Sequence, residues 1–552
     1  MATEAHPPKV PTTTAEPAHI EDATHTIVHD AEKQLHDAEE TGKLDAVNAA
    51  MAMQGTLAEH ELTNWQALVK YRKAVFWSVF VSLSIIMRAY DIEITGNFFA
   101  LPAFRNHFGD MVEGHGMEIP TQWQVAMSMG AIVGQVVGAW AVAVPMDRFG
   151  RKKTLVAYLL VTVALVFMQV FAPSRQVLTA SMYLCGIIWG GYHVLAPTYA
   201  SEVLPLRLRG YFTGYVNLCY VIGQFLQTGI TRGFVNWSSV WAYKIPYAIQ
   251  WVWPAVLLVG LYWAPESPWW LIRQNRMEDA KASLNALSNR SHHAENHNIL
   301  AMMVKTDLYE REVEVGATYR DVFRGPNLRR LEICAMMFVC QNFSGNPVGF
   351  ATYLFEQVGL STENAFNMGI GLNGVGFVGC IFSVFPIAYF GRRRTWMIGI
   401  TYCLVVLWIV GFMCLAPDYK SRPAYSWAQA TLLISLQLIY SLSLGPLCFT
   451  ISSEIPSTKL RAKTLGIAAT INGATYLVIT VAGPYLLNPG AANAGAKIEF
   501  LWGGLTLLNT IWSYFRLPET DNRTYEELDI LFDRRVPARQ FKKYVIEQDE
   551  DE

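Results

Sequence analysis

One charged segment occurs twice in the chain, as ASEVLPLRLRG at 200–210 and as SSEIPSTKLRA at 452–462. In each copy a glutamate ends an apolar run, and an arginine follows seven residues later. A basic turn precedes each copy, FGRKK at 149–153 and FGRRR at 390–394. A charge cluster at matching points of two halves, each time between long apolar segments, indicates a duplicated membrane bundle.

The composition supports a membrane protein. Of the 552 residues, 52% are hydrophobic and only 16% are charged, whereas a soluble chain carries roughly a quarter charged residues. The formal net charge of −2 offers no basic surface to a nucleic acid. All eight cysteines fall inside apolar stretches without disulfide or zinc spacing, which predicts packing thiols. No nucleophile constellation, nucleotide loop or metal-ligand set occurs, so we expect no cofactor and neither an enzyme nor an ATP-driven pump.

Apolar segments of about twenty residues, the length that crosses a bilayer, recur along the chain. They predict an all-α membrane protein with twelve transmembrane helices in two six-helix bundles. The first six spans are expected near 74–100, 121–146, 154–172, 177–201, 211–234 and 246–264. The second six are expected near 332–356, 364–389, 396–416, 428–452, 464–487 and 498–516.

These spans divide the chain into five expected regions. They are a cytosolic, largely disordered N-terminal tail at 1–70, an N-terminal bundle at 71–264, a cytosolic central loop with short helices at 265–330, a C-terminal bundle at 331–517 and a cytosolic C-terminal tail at 518–552. Lysine and arginine gather in the loops on the side of both termini. Because such loops are usually cytoplasmic, both termini are predicted to be cytoplasmic.

Several motifs resemble those of a known family. The chain is similar to fungal sugar porters of the major facilitator superfamily, above all the α-glucoside (maltose-type) permeases, from about residue 65 to 532. The resemblance implies the major facilitator fold. It is carried by PTYASEVLPLRLRG (197–210), PESPWWLIR (265–273), QNFSGNPVGFATYLFEQVGL (341–360), GPLCFTISSEIPSTKLRAKT (445–464), YLLNP (485–489) and PETDNRTYEELD (518–529).

The repeated charges are candidate gating residues. Glu202 and Glu454 end apolar spans, where an unpaired carboxylate is costly and a nearby guanidinium offsets that cost. The alternative is that these charges only fix the topology at the membrane surface. In the resembled family such pairs latch the two bundles together on the cytoplasmic side. The resemblance implies seven gating charges: Asp147, Arg151, Glu202, Arg209, Arg392, Glu454 and Arg461.

Amide and aromatic side chains within the spans are candidate cargo contacts. A sugar needs amides for paired hydrogen bonds and rings to stack on. Interhelical hydrogen bonding, worth roughly 1 kcal/mol, is the alternative role for each amide. The resemblance implies a substrate site of Asn217, Gln224, Gln341, Asn342, Asn346 and Phe449. Further candidates are Tyr353, Asn373 and Asn472, and His193 in span 4 either lines the cavity or packs between helices.

Span 1, IIMRAYDIEITGNFF at 85–99, holds the candidate proton-coupling residues. By resemblance, Asp91 stands where sugar–proton symporters have a titratable carboxylate, and an acid inside a span is a functional candidate. The α-glucoside permeases usually read M-E-G-Y-D here, so Arg88 replaces their glutamate. Arg88 is one helical turn from Asp91 and could pair with it, which would oppose proton uptake. Glu93 is a further acid that could titrate instead.

Two other positions depart from the family pattern. Met182 in span 4 and Ala469 in span 11 lack the charged or polar side chains that the family usually has at these positions. Arg88 could substitute for the cation that is missing from span 11, or proton coupling could be weakened.

The sequence therefore predicts a secondary active transporter for a sugar, such as the α-glucoside maltose, with proton symport across the plasma membrane. Its partners would be the sugar, protons and the lipid bilayer, without nucleic acid, and it would act as a monomer. The alternatives are a uniporter or exporter of another sugar-like metabolite, or a non-transporting sugar sensor.

Overall fold

The computed structural model describes residues 64–112, 116–289, 296–314, 318–345, 351–416, 422–457, 460–488, 491–492, 494–520, 525–542 and 544. Most of these residues are helical. One antiparallel hairpin joins β1 (Asp110–Val112) to β2 (Gly116–Glu118), with Met111 paired to Met117. Most of the predicted N-terminal tail lies outside the described residues, which begin with the short helix Asn64–Lys70.

The first half of the described chain contains six spans. They are span 1 (Arg72–Phe98), span 2 (Thr121–Ala141 and Ala143–Phe149), span 3 (Arg151–Val170), span 4 (Arg175–Val203), span 5 (Leu206–Phe234) and span 6 (Trp241–Ile249 and Val252–Leu261). The short helix Pro102–Phe108 and the hairpin lie between spans 1 and 2.

The second half contains six more spans. They are span 7 (Gly325–Asn342 and Ala351–Gln357), span 8 (Thr362–Phe382 and Val384–Phe390), span 9 (Arg392–Met413), span 10 (Pro423–Leu442 and Leu444–Glu454), span 11 (Arg461–Leu487) and span 12 (Ile498–Arg516). A 3-10 turn, Gly495–Lys497, leads into span 12.

Nine of the helices within the described residues are long and apolar enough to cross a membrane by length and composition alone. Spans 5, 7 and 12 complete the predicted twelve. Span 5 carries Gln224 and Gln227, span 7 is interrupted, and span 12 contains Glu499 and Asn509, which makes each less apolar.

Span 7 differs from the prediction of one continuous helix over 332–356. Its first helix ends at Asn342, and the second begins at Ala351. Gly345 adopts a φ of 74°, a conformation that helices do not contain. The sequence then places Pro347, which has no N–H to continue a helix. Within the described residues, the left-handed backbone of Gly345 therefore accounts for the interruption of the span.

The two basic turns have the same backbone form. Gly150 and Gly391 precede spans 3 and 9 with φ of 90° and 83°. The hydroxyl groups of Thr154 and Thr395 donate to the carbonyl oxygens of these glycines at 2.7 and 2.8 Å. Both halves thus turn through a left-handed glycine. We call the end of the bundle with these turns the basic end, and the opposite end the far end.

Short helices cover the basic end between the halves. They are Pro268–Arg273, Met277–Leu287, Asn296–Glu314 and Tyr319–Val322. The helix Met277–Leu287 buries Ala280, Leu284 and Leu287 at helical spacing.

The described part of the C-terminal region is folded against the second half. The helix Tyr525–Asp533 buries Leu531 and Phe532 in the core of that half. Arg330, at the start of span 7, forms an ion pair with Asp529 of this helix. A buried guanidinium therefore anchors the segment after span 12.

Within the first half, span 2 packs along span 4 and span 1 along span 5. Within the second half, span 8 packs along span 10 and span 7 along span 11. The two halves meet along two seams, span 5 against span 8 and span 2 against span 11. A cavity between the halves would therefore be bordered by these helices and by spans 1, 4, 7 and 10.

Candidate functional site

The first half holds a closed charge cluster at the basic end. A guanidinium nitrogen of Arg151 lies 2.7 Å from Oε1 of Glu202, and the Ser267 hydroxyl donates to Oε2 at 2.5 Å. Glu266 accepts the backbone N–H groups of Arg151 and Lys152 at 3.0 and 3.1 Å. Burial raises the pKa of the Glu266 carboxyl, an effect larger than the opposing one of these backbone hydrogen bonds.

The second half repeats this cluster contact by contact. A guanidinium nitrogen of Arg392 lies 3.3 Å from Oε1 of Glu454, and the Thr520 hydroxyl donates to Oε2 at 2.6 Å. Glu519 accepts the backbone N–H groups of Arg392 and Arg393 at 3.0 and 3.3 Å. We call these two groups the twin clusters. The carboxylate and hydroxyl groups of each cluster come directly after the last span of the half. Glu266 and Ser267 follow span 6, and Glu519 and Thr520 follow span 12.

Each twin cluster lies within its own half. Among the side chains that the structure describes, neither Glu202 nor Glu454 forms the implied latch between the two bundles by a direct ion pair in this conformation. Asp147 is exposed and 3.8 Å from Arg151, so it joins the first cluster weakly. Arg461 donates to the carbonyl oxygen of Ser453, at the end of span 10. The side chain of Arg209 lies outside the described residues.

Two predicted cargo residues of span 5 face other helices at mid-depth. Gln224 Nε2 lies 3.4 Å from Oε2 of Glu93 in span 1. Asn217 Nδ2 lies 3.3 Å from Sγ of Cys380 in span 8, across the seam between the halves. Both amides are only partly buried.

The predicted cargo residues of span 7 lie against span 11. Asn342 Nδ2 donates to Oδ1 of Asn472 at 2.9 Å and to the Thr475 hydroxyl at 2.7 Å. Gln341 is partly buried beside it. The amide of Asn342 is therefore already hydrogen-bonded to span 11. This agrees with the alternative role of the amides, interhelical hydrogen bonding.

The remaining cargo candidates have different surroundings. Phe449 is exposed and packs edge-on against Phe338, with ring centroids 5.8 Å apart. Tyr353 is fully buried at the far end, and Asn373 donates to the Thr228 hydroxyl at 2.9 Å across the seam. Asn346 lies outside the described residues. Tyr353 and Asn373 therefore belong to the packing between the halves.

Asp91 is buried within the first half. The indole N–H of Trp189 in span 4 donates to Asp91 Oδ2 at 2.9 Å, and Oδ1 has no hydrogen-bond partner. No cation of the described residues lies within ion-pair distance of this carboxyl group. Asp91 is therefore placed where a proton could bind without displacing a salt bridge.

Arg88 does not pair with Asp91, and that part of the sequence hypothesis is wrong. Its guanidinium donates to Gln135 Oε1 in span 2 at 2.5 Å and stacks on the ring of Tyr220 in span 5, 4.8 Å from the ring centroid. The spacing of the two residues along the helix permits a pair, but the arginine side chain turns toward spans 2 and 5 instead.

His193 lines accessible space inside the bundle. Its side chain is exposed although it lies ten residues before the end of span 4, and its Nδ1 is 3.1 Å from the Tyr220 hydroxyl. Sequence reasoning left His193 undecided and missed Gln135 and Tyr220. The signal for Gln135 was available, because it is a lone amide in the apolar stretch MGAIVGQVVGAW.

Ion pairs close the far end between the halves. Arg105, on the short helix after span 1, pairs with Glu356 at the end of span 7 and lies 3.3 Å from Glu118 of β2. Arg232 at the end of span 5 pairs with Glu363 at the start of span 8. Sequence reasoning missed this closure.

Neutral hydrogen bonds support the far-end closure. Thr352 donates to Asn97 Oδ1 at 2.6 Å, and Asn488 Nδ2 donates to the carbonyl oxygen of Ile119 at 3.0 Å. Among the contacts described, side-chain bonds between the halves lie at the far end and at mid-depth. This arrangement supports a conformation that is closed at the far end.

A family model described as "Sugar (and other) transporter" matches residues 77–532. The chain is similar to the General alpha-glucoside permease of Saccharomyces cerevisiae, with 32% identity over 532 residues, 93% of this chain and 84% of that protein. It is also similar to Maltose permease MAL31 of the same species, with 34% identity over 90% of this chain and 82% of that protein.

Solved structures share the fold. The inward open conformation of the xylose transporter XylE from E. coli aligns with a TM-score of 0.66, at 17% identity over 83% of this chain and 99% of that chain. The D-xylose-proton symporter crystal structure aligns with a TM-score of 0.61, at 18% identity over 82% of this chain and all of that chain. The predicted major facilitator fold with twelve spans is confirmed.

Proposed function

The chain belongs to the sugar (and other) transporter family of the major facilitator superfamily, and from this premise we propose that it carries an α-glucoside, such as maltose, together with protons. It is a multi-pass membrane transporter and not an enzyme. The α-glucoside cargo is supported by the names of the relatives. The partly buried amides of Asn217 and Gln224 and the exposed ring of Phe449 also support it. The plasma membrane is the proposed location.

The observation that best supports alternating access is the unequal closure of the two ends. The described side-chain bonds between the halves lie at the far end and at mid-depth, while each basic-end glutamate pairs inside its own half. We propose that the basic end is cytoplasmic, because Lys and Arg concentrate there. The conformation described would then be open toward the cytoplasm.

Asp91 is the proposed proton carrier, with Glu93 as the second candidate. Asp91 is buried and accepts one hydrogen bond from Trp189, and no cation within the described part of the chain lies at ion-pair distance from it. Glu93 instead faces Gln224, one of the proposed cargo residues. A proton on either acid could follow cargo occupancy.

The proposed gating role of the twin clusters is to hold the basic end of each half rigid. Each half would then move as one unit.

Transport by the purified protein in liposomes tests this proposal. We expect faster uptake of labelled maltose when the outside is more acidic than the inside, and loss of accumulation on adding a protonophore. Uptake indifferent to both would refute symport and leave a uniporter. Absence of any maltose movement would refute the cargo assignment.

Variants locate the cargo site in the same assay. Gln224→Ala and Gln341→Ala should each lower the apparent affinity for maltose about tenfold, since each removes a hydrogen bond to the cargo. Gln122→Ala, on an exposed position at the start of span 2, is the matched control and should leave uptake unchanged. Equal effects of all three changes would argue against the assigned site.

A further inference from the structure

Arg88 is a buried cation without a counter-ion. Only 6% of its surface is exposed, and its Nε and one terminal nitrogen have no hydrogen-bond acceptor. Its other terminal nitrogen donates to the neutral amide of Gln135. No carboxylate of the described residues lies within ion-pair distance. A buried charge is costly unless it is paired, so this site lacks an anion.

The neighbouring acids do not serve as that anion. Asp91 accepts the indole N–H of Trp189, within the first half. Glu93 is in contact with Gln224 of span 5. The two acids of span 1 are therefore both engaged elsewhere, although the sequence places them within five residues of Arg88.

Arg88 borders the accessible space between the halves. Its guanidinium stacks on Tyr220, whose hydroxyl contacts the exposed His193. Tyr476, from span 11 of the second half, also lies within electrostatic range of Arg88. Rotation of the Tyr220 ring would therefore open the free N–H groups to a molecule in this space. Arg88 therefore lies beside the accessible space that His193 lines.

We propose that Arg88 binds a carboxylate of the cargo, so that the cargo is an acidic α-glucoside, a sugar acid with an α-glucosyl unit. This inference rests on the proposed function and narrows its substrate class. A carboxylate fits better than a phosphate, because one guanidinium balances one negative charge and the neighbours Gln135 and Tyr220 are neutral. A phosphate, with nearly two charges, would require a second cation.

Competition between two matched sugars tests the proposal on the unmodified protein. Maltobionate and maltose share the α-glucosyl unit, but only maltobionate carries a carboxylate. In liposomes, we expect maltobionate to be half-saturating at a concentration about tenfold or more below that of maltose, as for a hydrogen bond to a charged group. An equal or stronger preference for maltose would overturn the inference. Preference for α-glucose 1-phosphate over maltobionate would overturn the carboxylate class.

Changes at Arg88 assign the preference to this residue. Arg88→Gln should abolish the preference for maltobionate, and Arg88→Glu should reverse it. The matched control is Arg324→Gln, at an exposed position outside the spans, and it should retain the preference. A maltobionate preference that survives in a folded Arg88→Gln protein would overturn the role of Arg88. If Arg88→Gln does not fold, Arg88→Lys replaces it in the test. Arg88→Lys keeps the charge and should keep part of the preference for maltobionate. Complete loss of that preference in folded Arg88→Lys protein would count against a charge-based contact.

Binding measurements separate failure of this inference from failure of the proposed function. If neither sugar is transported, the transport proposal fails, and the inference is judged by the melting temperature of the purified protein. A rise with maltobionate but not with maltose, absent in Arg88→Gln, would support it. No rise with maltobionate would overturn it.

Discussion

The twin clusters and the centre of the bundle differ in how closely the two halves match. At the basic end, the contacts that join Arg151, Glu202 and Glu266 recur in the second half. The weak pair of Arg151 with Asp147 does not recur, because Ala388 stands at the equivalent position. At the centre, Arg88, Asp91 and Glu93 are charged in span 1, whereas span 7 presents amides such as Asn342. Relative movement of the two halves requires equivalent structures in both halves, but binding of a chiral cargo does not. We therefore propose that the symmetric region serves motion and that the asymmetric region serves recognition.

The largest expected effect concerns the asymmetric centre. Asp91→Asn should abolish proton-driven accumulation of cargo, on the order of a hundredfold, because an amide cannot carry the proton. Exchange of labelled for unlabelled cargo across the membrane, which needs no net proton movement, should persist. The exposed Asp110→Asn is the matched control. Loss of exchange together with accumulation would mean that Asp91 is structural.

The next effect tests the equality of the twin clusters. Glu202→Gln removes the close ion pair of Arg151, whose side chain is 3% exposed. Glu454→Gln removes the ion pair with Arg392, whose side chain is 24% exposed. Removing one partner of a buried pair costs about 3–5 kcal/mol. We expect Glu202→Gln to reach that range and Glu454→Gln to cost roughly half as much. Thermal unfolding of both variants in detergent measures the difference, and the opposite order would contradict it.

A smaller effect concerns the glycine turns. A Cβ at Gly150 would lie 2.5 Å from Oε2 of Glu266, and one at Gly391 would lie 3.1 Å from Oε2 of Glu519. Both substitutions to alanine also place a side chain at positive φ, which costs about 1–2 kcal/mol. Gly150→Ala should therefore lower the melting temperature more than Gly391→Ala. Equal losses would show that the carboxylate of Glu266 moves aside freely.

The smallest effect removes one hydroxyl from each twin cluster. Ser267→Ala and Thr520→Val each delete a hydrogen bond to the second oxygen of a gating glutamate. A hydrogen bond to a charged group is worth about 1.5–3 kcal/mol, and partial exposure to water brings the expected loss to about 1 kcal/mol for each variant. Ser267 also caps the helix Pro268–Arg273 by accepting the backbone N–H of Trp270, so the melting temperature of its variant should fall somewhat further than that of Thr520→Val. A loss confined to one half would break the equivalence of the clusters.

The sequence predicts the symmetric parts well because they depend on local patterns. Charges at the ends of apolar runs identify the ion-paired residues of the twin clusters, Arg151 with Glu202 and Arg392 with Glu454. The need to offset a buried carboxylate predicts such a pairing, but the participation of Glu266, Ser267, Glu519 and Thr520 was not predicted. The glycine before each basic span needs only its immediate neighbours to explain it. Because the motif occurs twice, each copy supports the interpretation of the other.

The sequence fails where contacts depend on packing between distant segments. Arg105 and Glu356 are 251 residues apart, and nothing local to either indicates the other. Arg88 is close to Asp91 along span 1, but its guanidinium contacts Gln135 of span 2 and Tyr220 of span 5. The sequence of span 7 contains Gly345 and Pro347, which disfavour a helix. The apolar composition of 332–356 as a whole nevertheless predicted one continuous helix.

The thiol of Cys380 gives the protein a built-in chemical reporter. It is partly accessible, whereas the other seven cysteines are buried. Its sulfur lies beside Asn217 on the seam between spans 5 and 8. A thiol-reactive fluorophore should therefore modify the native chain mainly at one position. Its rate of attachment would follow the separation of the two halves in real time, without any engineered cysteine.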